Sequence, residues 1–557
     1  MTKASLLKKY YSKTSITSIS LAFAVTNTAL PENFQSALIG TVAEVNLVKM
    51  RNTGATLANT GYPLFLNRSN TNNAEILKWI NTDSQKWNLE RIGGDTYRIR
   101  LNDTNLFIRA SSGDINSPGG NGWGNYDNVE LIPWNGWNSQ KWYIDHIGNG
   151  MCNISQANGY HLMANTGGDG WGDGDNVFIH SGDEFGTPFK WDIEVLEYVG
   201  SPSIVQSPDG QLIVYYKKKN DGAPSTGHIA TSTSGANWTH RKTLPPYYGP
   251  SLFTHDNDKD ASSREEVYML LVQDKDLKII SGSDNGSNWT EIKLLTVAKD
   301  YSGVPLTKDL ESGGGTPVLI TATHLYYAFM DNEGAGQVWP GQKRIRVASC
   351  PIDQDITLGS NWTVSSAKSF PSSPAASGTR GGWLEANLVE LAGEIMLFAR
   401  VDALNGETIA AMRLGNSRQN IISDNQLITQ PGGGTLGTGF INAPIGGSNK
   451  FHIVQEGSKY WIMCNTHRGV PINTGPHYLG PLDPDQRVYD RNELALYSTT
   501  NFQTFTLESI LLQDDMISDP QDSVNMTGFQ KPSFIIDGSK IKYVSRTAYG
   551  TFDNYHD

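Results

Sequence analysis

The sequence predicts an all-β chain in two parts, the first of which repeats three times. Three observations lead there. Charged residues are only 18% of the 557 positions, while glycine numbers 57, tyrosine 23 and tryptophan 14, a balance that suits short strands and tight turns better than long helices. A phrase built on tryptophan recurs at Trp87, Trp142 and Trp191. A strand–turn–strand phrase, SPSIVQSPDGQLIVYY at 201–216, returns as LVELAGEIMLFAR at 388–400 and PSFIIDGSKIKYVSR at 532–546.

Composition also excludes some function classes. A formal net charge of −12 argues against a nucleic-acid partner, because phosphate contacts need a basic surface. Cys152, Cys350 and Cys464 lie far apart with no CxxC pair, so neither a disulfide framework nor a zinc site is expected, and the three read as small buried residues. No metal site is assigned and no cofactor is called for, although the Asp-rich run GDGWGDGDN at 168–176 has oxygens that suit Ca²⁺.

Residues 1–43 read as an N-terminal leader. MTKASLLKKYY is basic, ISLAFAV is a short apolar run, and Asn27-Thr28-Ala29 resembles the end of a signal peptide, which makes the chain secreted or extracellular. No segment approaches the ~20 apolar residues of a membrane span.

Residues 44–197 carry the threefold repeat. SQKWNLERIG at 84–93 recurs as SQKWYIDHIG at 139–148, with FKWDIEVL at 189–196 as a weaker third copy. Asn73, Asn128 and Asn176 keep step with the three tryptophans, preceding them by 14, 14 and 15 positions. Three hairpin-rich units that cannot bury a core singly share one about a threefold axis, which predicts a β-trefoil. The Gln-x-Trp phrase at this spacing resembles the ricin-type lectins. In that family the phrase packs the core, and sugar is held by an Asp, an aromatic platform and an Asn within one repeat. The platform position falls on Leu77, Ile132 and His180. Only the third unit keeps a ring, so the resemblance implies a carbohydrate site at Asp173, Asp175, Asn176 and His180, with Trp123 and Trp171 as alternative platforms.

Residues 200–557 hold the second repeat. TSTSGANW at 231–238, GSDNGSNW at 282–289, DITLGSNW at 355–362 and STTNFQTF at 498–505 each end a strand run with a turn and an aromatic residue. They resemble the Asp box of sialidases, although only the second copy keeps its Asp, Asp284. The resemblance implies a sialidase-like β-propeller. At roughly 50–60 residues per four-stranded blade there is room for about six blades. The chain stops at FDNYHD soon after a strand phrase, so the last blade reads as truncated.

The same resemblance implies a site. Sialidases fix a substrate carboxylate with arginines, use a tyrosine nucleophile whose proton a glutamate removes, and protonate the leaving group with an aspartate. Glu385 and Arg400, 15 residues apart, match the family's glutamate and the arginine on the following strand. Arg491 opens RNELALYS, as the third arginine does. Tyr549 falls where the tyrosine is expected, Asp221 where the acid is expected, and Arg546 is the remaining cation. The family's first arginine is missing: the opening strand reads Gly200-Ser201-Pro202-Ser203. His255, Asp256 and Asp258 form a further polar cluster, and His467 adjoins Arg468.

The expectation is therefore a carbohydrate-active protein that meets glycans or polysaccharide. It would be an exo-glycosidase of sialidase-like fold that releases a terminal acidic sugar, with a lectin domain as anchor. Two other readings stay open: a polysaccharide lyase acting on uronates, and a non-catalytic lectin.

Overall fold

A computed structural model of the chain describes residues 18–27, 36–45, 47–56, 63–78, 80–93, 96–111, 126–148, 151–157, 159–164, 174–181, 189–195, 197–220, 225–247, 249–257, 266–274, 276–283, 288–295, 310–312, 316–332, 343–369, 379–403, 408–423, 440–442, 449–465, 491, 493–513 and 527–549. The described chain is all-β apart from three-residue 3₁₀ turns. Among these residues no helix is long and apolar enough to cross a membrane.

Residues 47–195 form one twelve-stranded antiparallel sheet. The three repeated tryptophans are its centre. Each is fully buried, and each indole donates to a backbone carbonyl two strands along the sheet: Trp87 to Leu66 at 3.1 Å, Trp142 to Ile108 at 3.2 Å and Trp191 to Leu162 at 3.0 Å. A large apolar ring whose one polar atom is satisfied suits such a position. The glutamine of the phrase pins the preceding loop. Gln85 accepts the Ile80 N–H and donates to the Lys78 carbonyl, and Gln140 repeats this with Asn135 and Pro133. In the third copy Phe189 stands in the glutamine's place and packs instead against His161 and His180.

The three asparagines in step with the tryptophans meet each other. Asn73 donates to Asn176, Asn176 to Asn128 at 2.7 Å, and Asn128 to Asn73 at 2.5 Å, a closed cycle in which every amide gives one hydrogen bond and takes one. Such a cycle fits three like units about one axis. It satisfies polar groups that burial would otherwise penalise.

The remaining strands form five sheets, numbered I to V in chain order. Sheet I (residues 197–244) has four strands, sheet II (251–364) nine, sheet III (379–442) five and sheet IV (452–513) four. Sheet V joins Thr527–Asp537 and Lys540–Tyr549 to two N-terminal strands, Ser18–Asn27 and Ser36–Val45. One expectation changes here. Five hydrogen-bonded sheets stand where about six blades were expected, because the short strand Leu310–Ser312 bridges two antiparallel runs into the nine-stranded sheet II. Ser18–Asn27 pairs along its whole length with Lys540–Tyr549, and the last sheet has four strands.

The sheets join through one recurring device on their innermost strands. Ser203 accepts the Leu252 N–H at 2.9 Å, Asn387 the Ile453 N–H at 3.0 Å, His452 the Phe534 N–H at 3.1 Å and Ser533 the Ile204 N–H at 3.3 Å. His452, Ser533 and Ser203 each lie one residue before the N–H that donates to the preceding sheet, so these bonds lead from sheet III through IV and V, and Ser533 returns to sheet I and on to sheet II. The ring thus closes between sheets V and I. Ser251 deviates because the residue after Thr316 is Pro317, which has no N–H. Its hydroxyl donates to the Thr316 carbonyl instead.

The strand-end turns carry the aromatic residues expected to cap them. Trp238 donates to the Gly235 carbonyl at 2.9 Å and Trp362 to the Ile356 carbonyl at 2.8 Å. Hydroxyls close two of these turns, Ser232 on the Gly235 N–H and Thr499 on the Phe502 N–H. Asp284 lies outside the described residues.

Candidate active site

The inner strands thread the ring at Ser203, Asn387, His452 and Ser533, and a second set of positions lies two residues before these. Those earlier positions hold Ser201, Glu385, Lys450 and Lys531. In sheets I, III and V the register breaks there: between Gly200 and Ser203, between Leu384 and Ala386, and between Gln530 and Ser533. Such bulges re-aim side chains and often lie beside functional sites. Ser201 and Lys531 take left-handed backbone, φ +52° and +49°, each directly before a proline. That conformation costs about 1–3 kcal/mol per residue and persists only where surrounding structure enforces it.

Glu385 and Arg400 form the centre of the site. The Arg400 guanidinium donates to the Glu385 carboxylate at 3.0 Å, with both side chains buried. The strand that follows the bulge carries Arg400 opposite Leu384, which explains the 15-residue spacing: one hairpin brings the pair together. Lys450, at the equivalent place in sheet IV, is buried and close enough for Glu385 to act on its charge. Burial pushes its ammonium down to about 7, with Glu385 drawing it back up and Lys531 pressing it further down. Beside it, Asn449 accepts the Arg491 Nε–H at 2.9 Å. The Arg491 carbonyl takes N–H groups from Phe529 and Asn465, which ties it to sheets V and IV. Burial and then Lys450 push His452 down to about 3, which keeps the neutral ring that the Phe534 N–H requires.

Among the described residues, buried cations outnumber buried carboxylates: Lys217, Arg346, Arg400, Lys450, Arg491 and Arg546 against Glu385 and Glu493. Burying so much charge of one sign is costly, and charge of the other sign offsets that cost.

The structure brings some expected residues together and separates others. Glu385 and Arg400 are paired, and Arg491 is bonded to Asn449, the residue before Lys450. Arg546 lies in sheet V opposite Gln530, one residue beyond the Phe529 that bonds Arg491. Tyr549 is three residues farther along that strand, paired with Thr527 and Ser18. Asp221, Asp173, Asp258, His467, Arg468, Trp123 and Trp171 lie outside the described residues, as does most of the Asp-rich run at 168–176. Among the described residues no group of three or more potential metal ligands occurs.

Two expected residues are engaged within the protein. The Asn176 amide gives one hydrogen bond and takes one in the asparagine cycle. The Arg400 guanidinium donates to the protein's own Glu385. In the third repeat, Asp175 and His180 sit on one strand, and His180 packs edge-on against Tyr126, which is 60% exposed. Tyr126 is a ring that sequence reasoning missed, because its φ of +68° places it in a turn that no periodicity marks. Lys450 was missed too. The signal was there: aligned on the inner-strand phrase, NKFHIVQEGSKYW sets Lys450 where LEANLVELAGEIM sets Glu385.

Comparison of the sequence with family models finds no match, and none is found among curated proteins. Solved structures give distant likenesses. A Hadza microbial sialidase is 10% identical, with 96% of this chain and 93% of that one covered and a TM-score of 0.37. A Trypanosoma rangeli sialidase mutant displaying trans-sialidase activity is 12% identical over 72% of this chain and 59% of its own, with a TM-score of 0.38. The Macrolepiota procera ricin B-like lectin in complex with lactose is 17% identical over 27% of this chain and 94% of its own, with a TM-score of 0.20.

Proposed function

We propose that this chain is a carbohydrate-active protein whose ring of sheets is a sialidase-like β-propeller. On this reading it is an exo-glycosidase that takes a terminal acidic sugar at the charged end of the ring. The N-terminal threefold unit is a β-trefoil that holds the enzyme on glycans. The observation that carries the reading is the buried Glu385–Arg400 pair, with Lys450 and Arg491 beside it from other sheets. Cations in excess, held in place before any ligand arrives, suit a carboxylate. A carboxylate fixed among them suits proton removal from a nucleophile. Glu385 takes that role, with Tyr549 as the nucleophile and Asp221 as the acid.

The test is incubation with sialosides and with uronate-containing glycans, read by mass spectrometry. Hydrolysis releases the terminal sugar with one added water, and Glu385→Gln abolishes it while the protein remains folded. Full activity in that variant overturns the assignment. One observation favours a lyase as second reading. Lys450, held at about 7, has the basicity to remove a proton beside a carboxylate that arginine neutralises. An unsaturated product absorbing in the ultraviolet, lost in Lys450→Met, marks that outcome.

A further inference from the structure

Away from the inner strands, the outermost ladder of sheet I sets two histidines against each other. The strands Thr226–Ser232 and Thr239–Leu244 pair antiparallel, and the second is the last strand of the sheet. His228 stands opposite Thr243. In an unbroken ladder His240 would then stand opposite Thr231, on the other face of the sheet. The register instead shifts between Ile229 and Ala230, so His240 stands opposite Ala230 and shares a face with His228. A bulge of this kind inserts one residue, here Arg241, and re-aims the side chains beyond it.

The result is a pair of imidazoles whose nitrogens meet. His228 Nδ1 lies 3.2 Å from His240 Nε2. The other nitrogen of His228, Nε2, lies 2.8 Å from the Thr226 hydroxyl, and the ring of buried Tyr216 stacks on His228 at 5.1 Å with 15° between the planes. These two contacts fix the orientation of the His228 ring before any ligand arrives. With Nε2–H donating to Thr226, Nδ1 keeps its lone pair toward His240. A partner on the far nitrogen is what sets the tautomer of a metal-binding histidine. His240 is exposed, and the Thr243 hydroxyl lies 3.3 Å from the same Nε2. Two facing imidazole nitrogens can share one proton, and a metal ion can take that proton's place. Zinc sits about 2.0–2.1 Å from each ligating nitrogen. At that bond length a span of 3.2 Å corresponds to an N–Zn–N angle of about 100°, close to tetrahedral.

We propose that His228 and His240 chelate a divalent transition-metal ion of the zinc type, which ties the outermost strand of sheet I to its neighbour. That strand is exposed along nearly its whole length, so a cross-strand clamp acts where the sheet has least packing to hold it. Solvent reaches this face at His240 and supplies the remaining ligands. Lys218, whose charge is felt at His228, works against a cation here, and Lys218→Gln should therefore tighten binding. None of these residues belongs to the group around Glu385, and the proposal does not depend on the glycosidase reading.

The test is titration of the full chain with zinc chloride, followed by calorimetry and by thermal unfolding. The wild-type protein should melt higher as zinc is added, because an ion that binds only the folded state stabilises it by mass action. His240→Gln changes an exposed residue of an edge strand and should leave the fold intact. It should weaken zinc binding by about a hundredfold or more, since loss of a mere partner of a metal ligand already costs about 10–100-fold. The zinc-dependent rise in melting temperature should vanish with it, and His228→Gln should behave alike. Copper(II), which binds imidazole more tightly than zinc, serves as a second probe. Its electron paramagnetic resonance spectrum should show splitting from two nitrogens in the wild-type protein and from fewer in His240→Gln. A wild-type protein whose melting does not respond to millimolar zinc overturns the site. So does a His240→Gln protein that binds zinc as the wild type does. Either result leaves the glycosidase reading standing.

Discussion

At the centre of residues 47–195 three asparagine amides satisfy one another, and among the described residues of that unit no charged side chain is buried. Among the described residues of the five sheets, buried side chains carry full charges, mostly of one sign. Both regions repeat a motif, yet they use it differently. The first joins its repeated asparagines to one another. The second keeps backbone strain at Ser201 and Lys531 and sets a buried carboxylate, Glu385, against a buried cation. Repetition alone therefore does not mark a site.

The comparison can be broken or sharpened experimentally. The largest effect is expected from deleting residues 18–45, which takes two strands from sheet V and bares the edge of Lys540–Tyr549. The ring should lose its cooperative unfolding transition and the protein should associate, as followed by circular dichroism and light scattering. Arg400→Met should destabilise by about 3–5 kcal/mol, because it strands the buried Glu385 carboxylate. Chemical denaturation measures this, and Glu385→Gln in the same background should restore part of the loss. Trp142→Ala opens a cavity in the threefold core, also at about 3–5 kcal/mol, but confined to the transition of that unit. Equal loss in both transitions would mean that the two regions unfold as one.

Asn128→Ala breaks the asparagine cycle and leaves two amides unmatched, a cost of about 1–3 kcal/mol with no effect on ligand binding in the ring. A further prediction concerns pH. His452 is held at about 3 in the folded protein, below its ordinary 6.5, so the unfolded chain takes up the proton first. Its contribution to stability is present above 6.5 and is lost as pH falls from there toward 3. His452→Asn, which puts at this position the residue that threads sheet III, should flatten that part of the stability profile. An unchanged acid slope would assign the loss to other groups.

Much of this was legible in the sequence. Trp87, Trp142 and Trp191 mark a core because only burial at equivalent places keeps so large a residue in register. Glu385 and Arg400 were legible as candidate site residues because their 15-residue spacing matches the glutamate and arginine of the resembling family. Other features were not. The pairing of residues 18–27 with 540–549 joins strands more than 500 residues apart, and no local pattern announces it. The same holds for the bonds of Asn176 to Asn73 and Asn128.

The sequence by itself determined the class of fold and the two repeats, because periodicity and composition are local properties carried along the chain. The tertiary structure alone decided which cation faces which carboxylate. That choice depends on bulges that turn Glu385 toward Arg400 and set Arg546 beside Gln530, and on contacts between strands far apart in the chain, such as Ser18–Asn27 against Lys540–Tyr549. Backbone register and burial fix such pairings, and neither is written in the spacing of the residues they join.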